Sequence, residues 1–210
     1  MSESPDLPEN TEPTGTTPGD GAAALPEPFP SDWTRCLVLV AHPDDPEYGM
    51  SAAVARWTAE GRSVVYVLAS SGEAGIEGMS PAIAGPIREE EQRRSSAVVG
   101  VDEVEFLGFP DSRIVNNAAL RDAIADAIRR HRPDIVVSLY SGPEFGPGMP
   151  NQSDHMEFTR AVAEAAAAAG VTAYQTAPEP AYIVDVTGFT ERAVESLAEH
   201  RQYLSVLDPG

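Results

Sequence analysis

The chain has 210 residues and a formal net charge of −19 at pH 7, with 33 acidic against 14 basic residues. This length suits one domain with a substantial core. The acidic balance argues against a nucleic-acid partner, which requires a basic face. The sequence contains no run of 18 apolar residues, so it predicts no membrane-spanning helix. The single cysteine, Cys36, excludes a disulfide within the chain, so we expect a reducing compartment, namely the cytoplasm.

The first 31 residues differ in composition from the rest of the chain. They are rich in Pro, Thr, Gly, Glu and Asp and show no hydrophobic period. Such a segment cannot bury enough apolar surface to offset the entropy of ordering it. We therefore predict a disordered acidic tail over 1–31 and one folded domain over 32–210.

From Thr34 onward, apolar runs typical of strands alternate with amphipathic helical stretches. In chain order we predict strands at about 35–41, 63–69, 104–107, 135–139 and 181–186. We predict helices at about 46–60, 88–99, 155–169 and 189–206, and a further one capped by Asn116 or Asn117. Two segments that are too long for simple connections, 71–87 and 140–154, follow the second and fourth strands.

This alternation predicts an α/β fold, a single doubly wound domain with a mostly parallel, Rossmann-like sheet. In the usual strand order of such sheets, strands one and four are neighbours and flank the point where the order reverses. The loops that follow these two strands are then expected to face one crevice.

The loop after strand one carries an imidazole and two carboxylates, His42, Asp44 and Asp45, and the loop after strand four ends at His155. Two imidazoles and one carboxylate, from His42, Asp45 and His155, make the three-ligand set of a catalytic zinc ion. Zinc lowers the pKa of a bound water to roughly 7. Asp44 is then placed to accept the water's proton.

Helix capping is the competing interpretation of the same residues. Asp45-Pro46-Glu47 has the composition of a helix N-terminus, and Asp154 with Glu157 has the spacing of a capping box. Capping does not account for a histidine three positions before Asp45, or for a second carboxylate beside it. A nucleotide-binding domain is disfavoured because the loop after strand one lacks a glycine-rich turn.

These residues resemble the PIG-L/LmbE-like deacetylases over about residues 34–207. The matching segments, in collinear order, are Ala41-His42-Pro43-Asp44-Asp45, Gly72-Glu73, Arg88 with Glu91, Leu107-Gly108-Phe109-Pro110-Asp111, Arg132-Pro133-Asp134 and Ser153-Asp154-His155. The family comprises zinc-dependent enzymes that remove acetyl groups from N-acetylglucosamine units of larger molecules.

The resemblance implies a role for each matching residue. His42, Asp45 and His155 would bind Zn²⁺ or another divalent metal, and Asp44 would be the general base. Arg88 and Asp111 would line the sugar pocket. The partner implied is a small-molecule amino-sugar conjugate, and an oligomer is compatible with the sequence.

Position 152 departs from the family pattern. Many members carry a histidine three residues before the last metal ligand, whereas this chain has Gln152. A glutamine can donate a hydrogen bond to the oxyanion of a substrate, but it cannot deliver a proton. The alternative function is therefore a non-catalytic module that keeps the metal or the sugar and has lost turnover.

Overall fold

The computed structural model describes residues 25–207. Its strands are β1 (Glu27–Pro28), β2 (Arg35–Val40), β3 (Ser63–Leu68), β4 (Val104–Phe106), β5 (Ile135–Ser138), β6 (Glu144–Gly146), β7 (Met149–Pro150), β8 (Thr172–Gln175) and β9 (Tyr182–Ile183). Its helices are α1 (Asp45–Gly49), α2 (Ser51–Ala59), α3 (Pro81–Val98), α4 (Ala118–His131), α5 (Ser153–Ala169), α6 (Thr190–Ala198) and α7 (Arg201–Leu207).

A five-stranded parallel sheet with the order β4-β3-β2-β5-β8 forms the centre of the molecule. Helices flank it: α4 packs on α5, which contacts β2, while α2 and α3 both pack on α6. The mixed α/β prediction is confirmed. The strand order reverses between β2 and β5, which are neighbours as predicted, so the loops after these two strands open at the same edge.

The central strand β2 explains why the sheet forms where it does. Its apolar run, Cys36–Val40, is buried throughout, as expected for a parallel strand covered on both faces.

None of the helices within residues 25–207 is both long and apolar enough to cross a bilayer.

Two predicted helices are each divided in the structure. The predicted helix over 46–60 consists of α1 and α2, because the backbone leaves the helical region at Met50, where φ is −152°. The predicted last helix is divided into α6 and α7 around Glu199 and His200.

Helix α3 begins at Pro81, seven residues before the predicted start. Proline at the first helical position is compatible with a helix, since its missing N–H would have no intrahelical partner there. The helix also accommodates Pro86 in its interior. The segment predicted as a loop over 71–87 is therefore helical in its last part.

The strands at the far edge differ most from prediction. Strand β8 was not predicted, because its sequence Thr-Ala-Tyr-Gln is mixed rather than apolar, yet it pairs with β5 along its whole length. The predicted strand over 181–186 is reduced to β9, which pairs with β1 instead of the central sheet.

Strand β1 lies inside the segment predicted as tail. Residues 25–31 are described and include this pairing, so the ordered chain begins before the predicted boundary at 32. Residues 1–24 lie outside the described residues, and the disorder of that part stays a prediction.

Candidate metal centre

The loop between β2 and α1 is fixed by the carboxylate of Asp45, the first residue of α1. Asp45 Oδ2 accepts hydrogen bonds from the backbone N–H groups of Ala41 (3.0 Å) and His42 (2.7 Å). The residue at the N-cap of α1 is Asp44, which has a left-handed backbone (φ 86°) and makes no side-chain capping hydrogen bond within the described structure. Capping therefore does not explain the pair. The second oxygen of Asp45, Oδ1, faces His155.

His155 presents one ring nitrogen to this oxygen and has the other one fixed. Its Nε2 lies 3.0 Å from Asp45 Oδ1, but the pair lacks hydrogen-bond geometry, and this buried nitrogen has no hydrogen-bond partner among residues 25–207. Its Nδ1 lies 3.2 Å from Asn151 Oδ1. In a tetrahedral site with bonds of roughly 2.0–2.1 Å, ligand atoms lie roughly 3.3 Å apart. The orphaned nitrogen thus fits a metal ligand.

His42 completes this group, because His42, Asp45 and His155 each offer one ligand atom within 4.8 Å of the others. His42 Nδ1 lies 3.6 Å from Asp45 Oδ2. Its Nε2 contacts two further carboxylates, Asp111 at 3.1 Å and Asp154 at 3.3 Å. Burial works to lower the pKa of His42, but the contacts with the carboxylates of Asp111 and Asp154 and the charge of Asp45 outweigh it and raise the pKa to about 10.

A second group, His42 with Asp111 and Asp154, also has ligand atoms within 4.8 Å of one another. Its carboxylates already have backbone partners: Asp111 Oδ2 accepts from Ala74 N, and Asp154 Oδ1 accepts from Ile114 N. Burial works to raise the pKa of Asp111, but the His42 ring 3.1 Å away outweighs it and lowers that pKa. This group therefore has the character of a support that orients the His42 ring.

Arg88 is a buried residue of α3, and its guanidinium faces the loop between β2 and α1. Its Nη2 donates to Asp44 Oδ1 (2.8 Å) and to the Pro43 carbonyl (2.6 Å), and its Nη1 donates to the Gly72 carbonyl (2.9 Å). The structure therefore places Arg88 and Asp111 in the predicted cluster, but with partners inside the protein. Their predicted contact with a sugar stays a prediction.

Asp44 lies next to the group of His42, Asp45 and His155, and its pKa is close to neutral pH. Its backbone N–H donates to Gln92 Oε1 at 2.8 Å. Burial raises the pKa of Asp44 to about 7, the neighbouring charge of Asp45 adds to this, and Arg88 counteracts it. A carboxyl group whose pKa lies near the working pH suits proton transfer.

The structure does not bring Gln152 into the buried cluster. It is exposed at the N-cap of α5, with no side-chain capping hydrogen bond among the described residues. The competing interpretation of Asp154 and Glu157 as a capping box is wrong, because Asp154 contacts His42 and Glu157 accepts from the backbone N–H of Asn116.

The contributors not predicted from the sequence include Asn151, Asp154 as a partner of His42, and Tyr203, whose ring centroid lies 4.1 Å from Arg88 Cζ. Asp154 lies in the matching segment Ser153-Asp154-His155, and Asn151 lies four residues before His155. Nothing in the sequence pointed to Tyr203.

A cavity of about 660 Å³ lies beside this centre rather than at it. Its lining includes Glu47 and Tyr48 of α1, the helix that begins with Asp45. Aromatic side chains such as Trp57 and Tyr174 also line it. None of His42, Asp45 and His155 belongs to its lining. The ends of the strands, rather than this cavity, therefore define the site.

Comparison with known proteins gives a consistent result. The family model "PIG-L: GlcNAc-PI de-N-acetylase" matches residues 37–166. The diacetylchitobiose deacetylase of Thermococcus kodakarensis is 33% identical over 116 residues, which is 53% of this chain and 42% of that protein. The 1D-myo-inositol 2-acetamido-2-deoxy-alpha-D-glucopyranoside deacetylase of Streptomyces griseus is 32% identical over 168 residues, which is 67% and 50% of the two chains.

The solved structure of N,N'-diacetylchitobiose deacetylase from Pyrococcus horikoshii shares the fold, with a TM-score of 0.72 at 23% identity over 82% of this chain and 71% of that one. The chain spans about half the length of the curated relatives it matches. The resemblance found in the motifs is confirmed: the chain belongs to the PIG-L family.

Proposed function

We propose that the chain is a metal-dependent hydrolase that removes the N-acetyl group from an N-acetylglucosamine-type substrate. The observation that carries this proposal is the convergence of His42, Asp45 and the orphaned Nε2 of His155 beside Asp44. The relatives named as deacetylases of diacetylchitobiose and of a glucosaminyl inositol support the choice of substrate class.

In this proposal His42, Asp45 and His155 hold Zn²⁺ or another divalent ion. When bound, the ion supplies a Lewis acid for the acetamide carbonyl and lowers the pKa of water. Asp44 accepts the proton of the attacking water on its carboxylate and returns it to the departing amine. Arg88 keeps Asp44 Oδ1 in position through the 2.8 Å hydrogen bond.

Gln152 is proposed to donate its amide hydrogen to the oxyanion of the substrate. Because a glutamine carries no transferable proton, the return of the proton falls to Asp44 alone. The products would be acetate and an amino sugar. The buried thiol of Cys36 suits a reducing compartment, and the cytoplasm is the location we propose.

The test begins with metal content, measured by plasma mass spectrometry on the purified protein. We expect about one divalent ion per chain in the wild type and a loss in His155→Ala. The matched control is His131→Ala, because His131 lies at the end of α4 and contacts Glu105 instead of this cluster. Absence of metal from the wild type after reconstitution with zinc would refute the proposal.

Turnover is then measured as free amine released from N-acetylglucosaminyl conjugates. Asp44→Asn is expected to retain the metal and to lose at least about 100-fold in kcat, since general-base catalysis typically contributes 10²–10⁴-fold. The exposed position of Gln152 favours one alternative, a non-catalytic binding module. That alternative would show full metal content and measurable binding of the conjugate without any conversion.

A further inference from the structure

The last described helix, α7, is fixed to α3 by a buried carboxylate. Glu91 is 2% exposed, and its two oxygens accept hydrogen bonds from the backbone N–H groups of Gln202 (2.6 Å) and Tyr203 (3.4 Å). The N–H groups in the first turn of a helix have no intrahelical acceptor, so this contact satisfies them. Glu91 thus determines where the first turn of α7 lies.

That placement brings Tyr203 against the proposed base. Arg88 precedes Glu91 by one turn of α3, and its Cζ lies 4.1 Å from the centroid of the Tyr203 ring. The same guanidinium donates to Asp44 Oδ1. Tyr203 therefore packs its ring against the guanidinium that holds the Asp44 carboxylate.

We propose that Tyr203 is a positioning residue of the hydrolase, whose ring holds the Arg88 guanidinium where it keeps the Asp44 carboxylate in the orientation that proton transfer requires. The inference rests on the proposed function. Orientation matters here because Asp44 serves both proton transfers when Gln152 stands in place of the family's histidine. Misplacement of a reacting group by about 1 Å costs about 100-fold in rate.

The experiment measures kcat and KM of Tyr203→Leu and Tyr203→Phe on the N-acetylglucosaminyl conjugate that the wild type converts. Leucine removes the ring from Arg88, whereas phenylalanine keeps it. We expect kcat to fall about 10-fold in Tyr203→Leu, through loss of the cation–π contact, and to return close to the wild-type value in Tyr203→Phe. In both variants KM should stay within about twofold and the metal content should match the wild type.

The matched control is Gln202→Ala, on the same turn of α7. The Gln202 side chain is exposed and contacts Ser205 of its own helix, so the variant should keep the wild-type kcat. If Gln202→Ala lowered kcat as much as the substitution of Tyr203, the loss would come from a general disturbance of α7, and the proposal would be overturned.

A double-mutant cycle with Glu91→Gln tests whether Glu91 acts through Tyr203. If it does, Glu91→Gln lowers kcat, and the double variant with Tyr203→Leu is no slower than the slower single variant. Independent structural roles would instead multiply the two losses and overturn this link.

The two proposals fail differently. A wild type that turns over while Tyr203→Leu has an unchanged kcat overturns the positioning role alone. A metal-loaded wild type without turnover on any conjugate overturns the proposed function, and the positioning role with it.

Discussion

At the scale of single residues, Gly72 is a position where the loop after β3 has no room for a side chain. A Cβ atom there would lie 2.3 Å from Arg88 Nη1 and 2.9 Å from Pro43 Cδ, and φ is +62°. Gly72→Ala should therefore destabilise the protein by about 2 kcal/mol or more, from the left-handed backbone and the collision together. It should also displace Arg88 from Asp44 and lower kcat. Urea denaturation and the turnover assay measure the two effects.

Gly78 provides the control for this collision. It has a similar backbone, φ +77°, but a Cβ atom there would meet nothing within 4 Å. Gly78→Ala carries only the conformational cost of about 1 kcal/mol and should leave kcat unchanged. Equal losses in the two variants would show that contact with Arg88 is irrelevant.

Asn151 gives a second prediction at this scale. Its Oδ1 faces His155 Nδ1, and its Nδ2 donates to the carbonyls of Tyr140 and Gly142. Asn151→Ala removes the group that fixes the His155 tautomer, so metal affinity should fall about 10- to 100-fold. Competition with a fluorescent chelator measures this. Asn116→Ala, at an asparagine bonded to Glu164 on the surface, should bind the metal as the wild type does.

The sequence allowed prediction of those site residues whose chemistry and chain position are both distinctive. His42, Asp44 and Asp45 follow directly on a buried strand, and His155 follows the strand beside it. Asn151 and Tyr203 could not be predicted in the same way. The role of Asn151 depends on the path of the loop between β5 and α5, and that of Tyr203 on packing of α7 against α3.

At the scale of elements, prediction succeeded where burial dictates the pattern and failed where a local rule was overridden. The apolar run of β2 left no alternative to a central strand. Strand β8 lies at an edge and carries polar residues, so its pattern resembles a loop. The prolines of α3 resemble helix breakers, yet Pro81 occupies the first turn and Pro86 is accommodated by the packed helix.

The N-terminal end of β2 is joined to the start of β5 by Asp134, which yields a prediction about pH. One oxygen of Asp134 accepts from Thr34 N, Thr34 Oγ1 and Arg35 N, each at 2.9 Å. These hydrogen bonds lower the pKa of Asp134 from 3.8 to about 2. The charged form thus favours the folded state, so its contribution is complete above pH 3.8 and is lost as pH falls toward 2.

We therefore expect Asp134→Asn to lower the urea midpoint at pH 7 and to differ progressively less from the wild type between pH 4 and pH 2. The measurement is urea denaturation at a series of pH values. Asp102→Asn, at an exposed acid before β4, serves as the control and should leave the midpoint unchanged. A constant difference between Asp134→Asn and the wild type down to pH 2 would contradict the assignment.

At the scale of the whole molecule, the proposed ligands come from both sides of the point where the sheet order reverses. His42 and Asp45 follow β2, whereas His155 lies in the first turn of α5, which follows β5 in the chain. Bound metal would join these two parts of the fold, and it has no preformed site in the unfolded chain. The ion should therefore stabilise the folded protein as a whole and not only the loop that holds it.

Metal at a free concentration of 100 times its Kd should add about 2.7 kcal/mol to the free energy of unfolding. For a chain of this length that is a rise in melting temperature of roughly 5–10 °C. Differential scanning calorimetry of the chelator-treated protein, with and without zinc, measures the rise. His131→Ala should show the full rise, and His155→Ala should lose it.

The same measurement distinguishes the two candidate ligand groups. With the ion at His42, Asp45 and His155, Asp111→Asn removes only a support of the His42 ring, so zinc should still raise the melting temperature, at about 10- to 100-fold higher concentration. With the ion at His42, Asp111 and Asp154, His155→Ala would keep the rise and Asp111→Asn would abolish it. Each variant removes a ligand from only one of the two groups. If zinc raised the melting temperature of His155→Ala but not that of Asp111→Asn, the metal centre would therefore be the second group.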